Sequence, residues 1–208
     1  MLVLNLPDGY IIRSRAATTT DIEPQLTLRG HTAPVSALVH SPVKRLLYSA
    51  SLDTSIRVWA LPPSTHTTYA PFDNNRSKGE LIGHTSAIWG LALLKNETIL
   101  VSCSADGQVF VWDVSASGSQ DQKQSSPGQL KLKWGYHGID AVEEEYKDQH
   151  SPGATVLEGV KSDLRRVAVG YQDGVIKVFD VNNGALVVAL GPESESGLCT
   201  FCHSRTAC

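Results

Sequence analysis

Three stretches of the chain repeat one pattern, in which a strand-forming segment, a turn containing aspartate and a second strand-forming segment follow one another. The clearest copy is residues 102–113, where Asp106-Gly107 forms the turn and a β-prone run ends at Trp112. Asp-Gly tolerates the positive φ angles that a two-residue hairpin needs, so the sequence predicts such a hairpin here. The pattern recurs in residues 49–60 and 167–181. A chain of this kind is thereby constrained to a fold built from repeated hairpins.

The first two copies belong to longer units that align at a single offset. The residue pairs that stand 53 positions apart are His31 and His84, Asp53 and Asp106, and Trp59 and Trp112. Three residue types that recur at one offset indicate a true internal repeat. The third unit keeps an aspartate, Asp173, and has Phe179 in the aromatic position, but it lacks the Gly-His pair that opens the other two.

Short strands separated by turns, with no convincing helix, predict an all-β fold. Units that begin with Gly-His and end with an aromatic residue are typical of a WD40 β-propeller. We therefore predict a partial propeller of about three to four blades, each a four-stranded antiparallel sheet. The repeats are expected over residues 21–190, approximately at 25–60, 79–114 and 129–181, with a further outer strand at 185–190.

The remaining segments lack the repeat. Residues 1–20 are predicted to be a remnant strand and a linker, and residues 191–208 an atypical tail. Three segments, 61–78, 115–128 and 143–159, are predicted to be loops that could carry partner contacts. The last of them is interpreted as an acidic insertion.

Composition excludes several classes of function. The chain has 208 residues, a net charge of −3 and no apolar run near the length of a membrane span. Such a balance gives no general attraction to nucleic acid or to an anionic membrane. The first residues lack the features of a signal peptide, so we expect a cytoplasmic protein with reduced cysteines.

The WD40 resemblance implies a structural hydrogen-bond network in each blade. His31 would bond to Asp53 and to a strand hydroxyl, Ser49 or Ser51, which in turn meets the Trp59 indole. In the next unit, the corresponding residues are His84, Asp106, Ser102 or Ser104, and Trp112. Phe179 has no N–H, so the unit containing Asp173 must do without this network. A reading of these residues as hydrolytic triads is disfavoured, because a nucleophile site is not expected to recur within a structural repeat.

The tail contains the sharpest chemical motif of the chain. Cys199, Cys202 and His203 match the spacing of a c-type haem attachment site, and together with Cys208 they could supply four zinc ligands. Haem attachment needs an oxidising compartment and usually a second axial ligand, and the only methionine is Met1. A zinc site of this kind would normally have a second paired element. We therefore expect no cofactor, no metal and no enzymatic activity.

Four segments carry a closer resemblance: residues 21–24 (DIEP), 68–73 (TYAPFD), 81–92 (LIGHTSAIWGLA) and 102–107 (SCSADG). The region from about 21 to 197 resembles the WD40 domain of the striatin family, in a shortened form similar to fungal striatin-like proteins. That resemblance implies a non-catalytic scaffold in signalling assemblies with protein phosphatase 2A subunits, germinal-centre-type kinases and Mob-like proteins. It also implies a cytoplasmic location, which in this family can be peripheral to endomembranes.

The chain departs from the family pattern in two ways. The coiled-coil, caveolin-binding and calmodulin-binding regions of striatins have no counterpart in this sequence, so their functions are not assigned to it. The next blade expected after about residue 198 is also missing. An open arc of blades would expose apolar flanks, so we expect poor solubility, self-association or completion by a partner.

An alternative class is another WD40 adaptor, such as the substrate receptor of a ubiquitin ligase. Receptors that dock a cullin adaptor often carry an arginine two residues after Trp-Asp. Here Trp112-Asp113 is followed by Val114-Ser115, which weighs against that class.

Overall fold

A computed structural model describes residues 2–5, 11–14, 24–62, 76–115, 132–136, 152–160, 163 and 165–191. These residues form four antiparallel sheets, each a meander in which consecutive strands are neighbours. The first sheet has three strands: β1 (Leu2–Asn5), β2 (Ile11–Ser14) and β3 (Pro24–Leu28). The second sheet comprises β4 (Val35–Ser41), β5 (Leu46–Ser51), β6 (Ser55–Ala60) and β7 (Ser77–Ile82).

The other two sheets repeat the four-stranded meander of the second sheet. The third sheet comprises β8 (Ile88–Leu94), β9 (Ile99–Ser104), β10 (Val109–Asp113) and β11 (Leu132–Tyr136). The fourth sheet comprises β12 (Ala154–Gly159), β13 (Arg166–Tyr171), β14 (Ile176–Asp180) and β15 (Leu186–Leu190). None of the described segments forms a helix long and apolar enough to cross a membrane.

The second, third and fourth sheets stack face to face, with their first strands side by side. Strand β4 contacts β8, and β8 in turn contacts β12. One core cluster lies between the second and third sheets and includes Tyr48, Ile56 and Trp112. Another lies between the third and fourth sheets and includes Val109 and Phe179. This stacking confirms the predicted fold class, an all-β partial propeller of four-stranded antiparallel blades.

The second strand of a middle blade is buried on both faces. Every residue of β5 and of β9 is buried, because one face packs against the preceding sheet and the other against the following one. This double burial explains why the sequences of both strands are nearly continuous runs of apolar or small residues, without an alternation of apolar and polar residues.

The turn between the second and third strands of a blade differs from the predicted two-residue hairpin. Ser104 N–H donates to the Gln108 carbonyl (3.1 Å) and Gly107 N–H donates to the Ser104 carbonyl (3.0 Å), which leaves a three-residue loop. Gly107 takes a positive φ of 80°, whereas Asp106 does not have a positive φ. The prediction was wrong because the Asp106 side chain accepts a bond from Gln108 N–H at 2.9 Å, which favours an Asx turn rather than a left-handed aspartate.

Two segments predicted to lie outside the blades contain strands. Within the supposed loop 143–159, Ala154–Gly159 is the first strand of the fourth sheet and buries Ala154 and Leu157. The interpretation of the whole segment as an insertion was therefore wrong, because its last residues can bury an apolar face. In residues 1–20, the second strand Ile11–Ser14 pairs with Leu2–Asn5. The loops 115–128 and 61–78 fall mostly outside the described residues.

Candidate functional site

In the second sheet, a chain of polar side chains joins the segment before β4 to the hairpin β5–β6. His31 Nδ1 lies 2.8 Å from Asp53 Oδ2, and His31 Nε2 lies 2.7 Å from Ser49 Oγ. The Trp59 indole N–H donates to the same serine oxygen at 2.8 Å. Of the two predicted hydroxyls, Ser49 therefore joins the histidine to the tryptophan, whereas Ser51 donates to the Ala33 carbonyl at 3.0 Å.

A single arrangement of protons satisfies every member of this chain. Asp53 accepts from Nδ1–H of a neutral His31, and Nε2 of the same ring accepts the hydroxyl proton of Ser49. The serine oxygen then remains free to accept from the Trp59 indole. Burial lowers the pKa of His31, which favours the neutral ring that this arrangement requires, although the hydrogen bond and charge of Asp53 act in the opposite direction.

Asp53 is the anchor of the network. Burial by itself would raise its pKa, but hydrogen bonds outweigh burial and lower the pKa to about 2. The donors are the Ser55 hydroxyl (2.6 Å), the N–H groups of Thr32 (2.9 Å) and Ser55 (3.0 Å), and the His31 ring. The carboxylate thus connects the segment before β4 to the turn that follows β5.

The third sheet repeats the network with one change. His84 Nε2 lies 2.7 Å from Ser102 Oγ, which also accepts from the Trp112 indole at 2.9 Å. The Thr85 hydroxyl donates to Asp106 Oδ2 at 2.8 Å, while His84 Nδ1 stands 3.9 Å from Asp106 Oδ1. Among the described residues, His84 Nδ1 has no hydrogen-bond partner. Burial would raise the pKa of Asp106, but the His84 ring and the donors from Gln108 and Thr85 together hold that pKa well below its usual range.

Each tryptophan ring also explains the glycine that precedes the histidine. A Cβ atom on Gly30 would lie 3.0 Å from the Trp59 ring and 2.9 Å from Arg57 Nη1. One on Gly83 would lie 3.1 Å from the Trp112 ring and 3.0 Å from the Phe110 ring. The Gly-His pair is therefore one structural unit, in which the glycine admits the indole and the histidine bonds to the serine that holds it.

The fourth sheet replaces the network with apolar packing. By strand register, Val169 stands where Ser49 and Ser102 stand in the other sheets, and Phe179 stands in place of the tryptophan. Both side chains are fully buried. Asp173 keeps only the turn contact, accepting from Val175 N–H at 3.0 Å.

The geometry favours a structural role over catalysis for these residues. Ser49 and Ser102 are fully buried, and each hydroxyl oxygen lies between a histidine and an indole N–H. The nearby Cys103 thiol is buried, and burial raises its pKa to about 12, far from the range of a reactive thiolate. Within the described ranges, no group of His, Cys, Asp and Glu side chains could hold a metal ion. The predicted metal candidates Cys199, Cys202, His203 and Cys208 lie outside the described residues.

An exposed tryptophan marks a different kind of site, which the sequence did not single out. The first strand of each four-stranded sheet has a β-bulge near its start, and the extra residues are Ser36, Trp89 and Thr155. The Ser36 hydroxyl donates to the Ala50 carbonyl (3.2 Å), and the Thr155 hydroxyl donates to the corresponding Gly170 carbonyl (3.2 Å). Trp89 has no hydroxyl for this bond, and 42% of its surface is exposed. An aromatic residue in a register position held elsewhere by Ser and Thr would have been the sequence indication.

Comparisons with known proteins agree with this geometry. The family model described as "WD domain, G-beta repeat" matches residues 22–60 and 75–113, the two units that contain the polar network. The chain is similar in fold to a chain of the Mitotic Checkpoint Complex (TM-score 0.65, 19% identity, 90% of this chain and 46% of that one). It is also similar to the C-terminal WD40 domain of Sif2 (TM-score 0.57, 22% identity, 86% of this chain and 40% of that one).

The fold and the repeated network together define a WD40-repeat protein. Among curated proteins, the chain is 36% identical to mouse Striatin-4 over 193 residues, which are 93% of this chain and 22% of that protein. It is 26% identical to human Striatin-3 over 187 residues, or 90% of this chain and 21% of that protein. It is 28% identical to mouse Striatin over 202 residues, or 84% of this chain and 26% of that protein. The chain belongs to the striatin family of WD40-repeat proteins, and it spans about a quarter or less of the length of these relatives.

Proposed function

We propose that this chain is a non-catalytic protein-interaction scaffold, and that it acts as the WD40 module of a signalling assembly containing protein phosphatase 2A and kinases. The observation that carries the scaffold function is the exposed Trp89, held at a bulge in the first strand of a rigid blade. Tryptophan is enriched among the residues that dominate binding energy at protein interfaces. Because the buried His, Asp, Ser and Trp network has a structural role, we assign partner binding to exposed residues.

The backbone on both sides of Trp89 is held in place by buried contacts. Its neighbour Ile88 is fully buried, and the next residue, Gly90, lies so close to β12 that a Cβ atom would stand 3.0 Å from the Leu157 side chain. The Ser36 hydroxyl of the second sheet also contacts the Ile88 carbonyl, so its single proton is shared between this carbonyl and that of Ala50. An anchor residue on such a backbone loses little conformational freedom when a partner binds.

Family membership supports the proposal of phosphatase and kinase partners. Similarity to striatins extends over most of this chain, so the module is expected to retain surfaces by which striatin-like scaffolds hold phosphatase 2A subunits, germinal-centre-type kinases or Mob-like proteins. A role in the cytoplasm is part of the same proposal. The ubiquitin-ligase alternative gains no support from the described surface, because the exposed residue two positions after Trp112-Asp113 is Ser115 and not an arginine.

The test is affinity capture from the cells that make this protein, with quantitative mass spectrometry. The baits are the full chain, Trp89→Ala, and Ile82→Ala as a control, because Ile82 is largely exposed but lies on the outer strand β7. We expect phosphatase 2A subunits and associated kinases with the full chain, an at least fivefold loss with Trp89→Ala, and no loss with Ile82→Ala.

The other outcomes separate the two parts of the proposal. Capture of a different, Trp89-dependent set of proteins would keep the scaffold and overturn the phosphatase assembly. Capture of a cullin adaptor would favour the ubiquitin-ligase class. A set of proteins that is equally abundant on all three baits would overturn the role of Trp89.

A further inference from the structure

The exposed Trp89 lies at the same end of the sheets as the turns that contain the repeated aspartates. Ile88, beside Trp89 in β8, pairs with the last residue of β9, and Asp106 follows in the turn. In the second and fourth sheets, the starts of β4 and β12 pair with the ends of β5 and β13 in the same way. Asp53 and Asp173 belong to the turns that follow β5 and β13. The indole and the three carboxylates therefore lie at one end of the stacked sheets.

The residues that hold the same bulge position in the adjacent first strands are small. They are Ser36 in β4 and Thr155 in β12, and both of these strands contact β8. Both hydroxyls bond to backbone carbonyls. Trp89 is the aromatic member of the three bulge residues, and its indole is partly exposed. Such a ring attracts cations through its negative face, and arginine is its partner more often than lysine.

Two carboxylates at this end stay ionised, and a third is open to a partner. Burial would raise the pKa of Asp53 and of Asp106, but hydrogen bonds outweigh burial and lower both values. Asp173 is exposed, and among the described residues its carboxylate accepts only from Val175 N–H, at 3.0 Å. Its other oxygen can therefore accept hydrogen bonds from a cationic group of a partner.

The basic residues at this end lie outside the third sheet. Those that the structure describes are Arg29, Arg57 and Lys177. Arg57 in β6 forms an ion pair with Glu80 at 3.5 Å, and Lys177 in β14 is buried. Arg29 belongs to the segment that follows β3 of the first sheet. At this end, the third sheet therefore presents an indole and a carboxylate, without a basic residue among its described positions.

We propose that this end of the third and fourth sheets binds an arginine-containing segment of a partner protein. The guanidinium group of one arginine stacks on the Trp89 indole, and a second basic residue of the segment pairs with Asp173. Arginine suits this site because its planar group stacks on aromatic rings and also bonds to carboxylates. One extended segment can contact both residues, because β8 and β12 are adjacent. The inference names the kind of partner for the proposed scaffold, and it rests on the role of Trp89 there.

The measurement is the fluorescence anisotropy of labelled hexapeptides titrated with the full chain. Arginine, lysine or glutamate alternates with glycine in the three peptides. We expect the arginine peptide to bind most tightly, the lysine peptide more weakly and the glutamate peptide not at all. Binding of the arginine peptide should weaken at least threefold when the salt concentration rises from about 50 to about 300 mM. Trp89→Ala should weaken it at least fivefold, and Asp173→Asn at least threefold.

The matched control is Asp113→Asn. Asp113 is exposed and accepts from Ser115 N–H at 2.9 Å, much as Asp173 accepts from Val175 N–H, but it ends β10 at the opposite end of the third sheet. Asparagine can accept the same turn bond, so both variants should fold, and circular dichroism checks this. We expect Asp113→Asn to bind the arginine peptide as the natural chain does.

Several results would overturn the arginine-containing partner. They are equal binding of the three peptides, no binding of the arginine peptide, no loss in Trp89→Ala, and equal losses in Asp173→Asn and Asp113→Asn. If cellular proteins are captured through Trp89 but the arginine peptide does not bind, the scaffold function stands and this inference fails. If the arginine peptide binds but no phosphatase is captured, this site stands and the proposed phosphatase assembly fails.

Discussion

Ser49 and Ser102 show how one small side chain can organise a blade. Each hydroxyl meets a histidine ring on one side and an indole N–H on the other, and all three groups are buried. Removing the hydroxyl leaves two buried polar groups without a partner, which costs more than the hydrogen bond alone contributes. These serines should therefore matter for stability far beyond their size.

The first prediction concerns Ser102→Ala. We expect the free energy of unfolding to fall by about 2–4 kcal/mol, since the Trp112 indole and His84 Nε2 each lose a buried partner. Chemical denaturation followed by tryptophan fluorescence measures the change. Ser115→Ala is the matched control, because Ser115 is exposed, and it should leave stability within about 0.5 kcal/mol. A loss in Ser102→Ala no larger than in this control would show that the network contributes little.

The second prediction concerns the dependence of stability on pH. The pKa of Asp53 is lowered from 3.8 to about 2 on folding, so its contribution is present above about pH 4 and is lost as the pH falls towards 2. The pKa of His31 is also lowered, from 6.5, so protonation of the unfolded chain weakens stability at an earlier stage, as the pH falls below 6.5.

The variant Asp53→Asn isolates the loss of stability that Asp53 causes between about pH 4 and pH 2. It should be less stable than the natural chain at pH 7, and the difference should shrink between pH 4 and pH 2. Urea denaturation across this range checks the prediction. A difference between the two proteins that stays constant with pH would mean that the carboxylate is not held in its charged form by the fold.

At the scale of elements, the three hairpin turns share a geometry but not a residue. The last loop position has a positive φ in all three, at 71° for Thr54, 80° for Gly107 and 81° for Gly174. Glycine takes this conformation without steric cost, whereas a β-branched residue such as threonine does not. The first hairpin therefore carries backbone strain that the other two avoid.

The third prediction is that Thr54→Gly stabilises the chain and Gly107→Thr destabilises it, each by about 1 kcal/mol. Exchanging the residue between two copies of one turn makes each variant a control for the other. Thermal unfolding followed by circular dichroism measures both changes. Shifts of the same sign in the two variants would contradict the assignment of strain to the φ angle.

The fourth prediction concerns the contact between the second and third sheets. The Glu97 carboxylate accepts from the hydroxyl of the buried Ser41, and Lys44 Nζ donates to the Glu97 carbonyl (2.7 Å) and the Val114 carbonyl (2.6 Å). Glu97→Ala should cost about 1–3 kcal/mol, because Ser41 loses its acceptor. Glu80→Ala removes only a partly exposed ion pair with Arg57 at 3.5 Å and should cost less than about 1 kcal/mol. Equal losses by denaturation would show that the inter-sheet contact has no special role.

Sequence could predict those elements in which local chemistry and tertiary packing agree. The hairpins at 49–60 and 102–113 combine turn residues with β-prone runs, and both form. Strand β12 was missed because its neighbours are acidic and contain Pro-Gly, and only packing against β8 reveals that Ala154 and Leu157 face a core. The turn type was missed because the Asp106 side chain, rather than the Asp-Gly pair, decides the loop geometry.

At the scale of the whole molecule, the internal repeat allowed the polar network to be predicted. It gave no indication of the exposed site around Trp89. An offset of 53 residues identifies His, Asp and Trp as structural partners before any coordinates exist. Trp89 lies in a bulge, and the bulge depends on the pairing of β8 with β9. The surface around Trp89 could therefore not be predicted from residue types alone.

The repeated His, Asp, Ser and Trp side chains form a buried network that holds each blade together. Hydrogen exchange of the indole N–H groups, followed by NMR, measures whether this network forms in solution. Trp59 and Trp112 should exchange slowly because each donates to a buried serine, whereas the partly exposed Trp89 should exchange fast and serves as an internal reference. In Ser49→Ala, only the Trp59 indole should lose protection. If the Trp59 and Trp112 indoles exchange as fast as that of Trp89 in the natural chain, the hydrogen bonds to Ser49 and Ser102 do not form in solution.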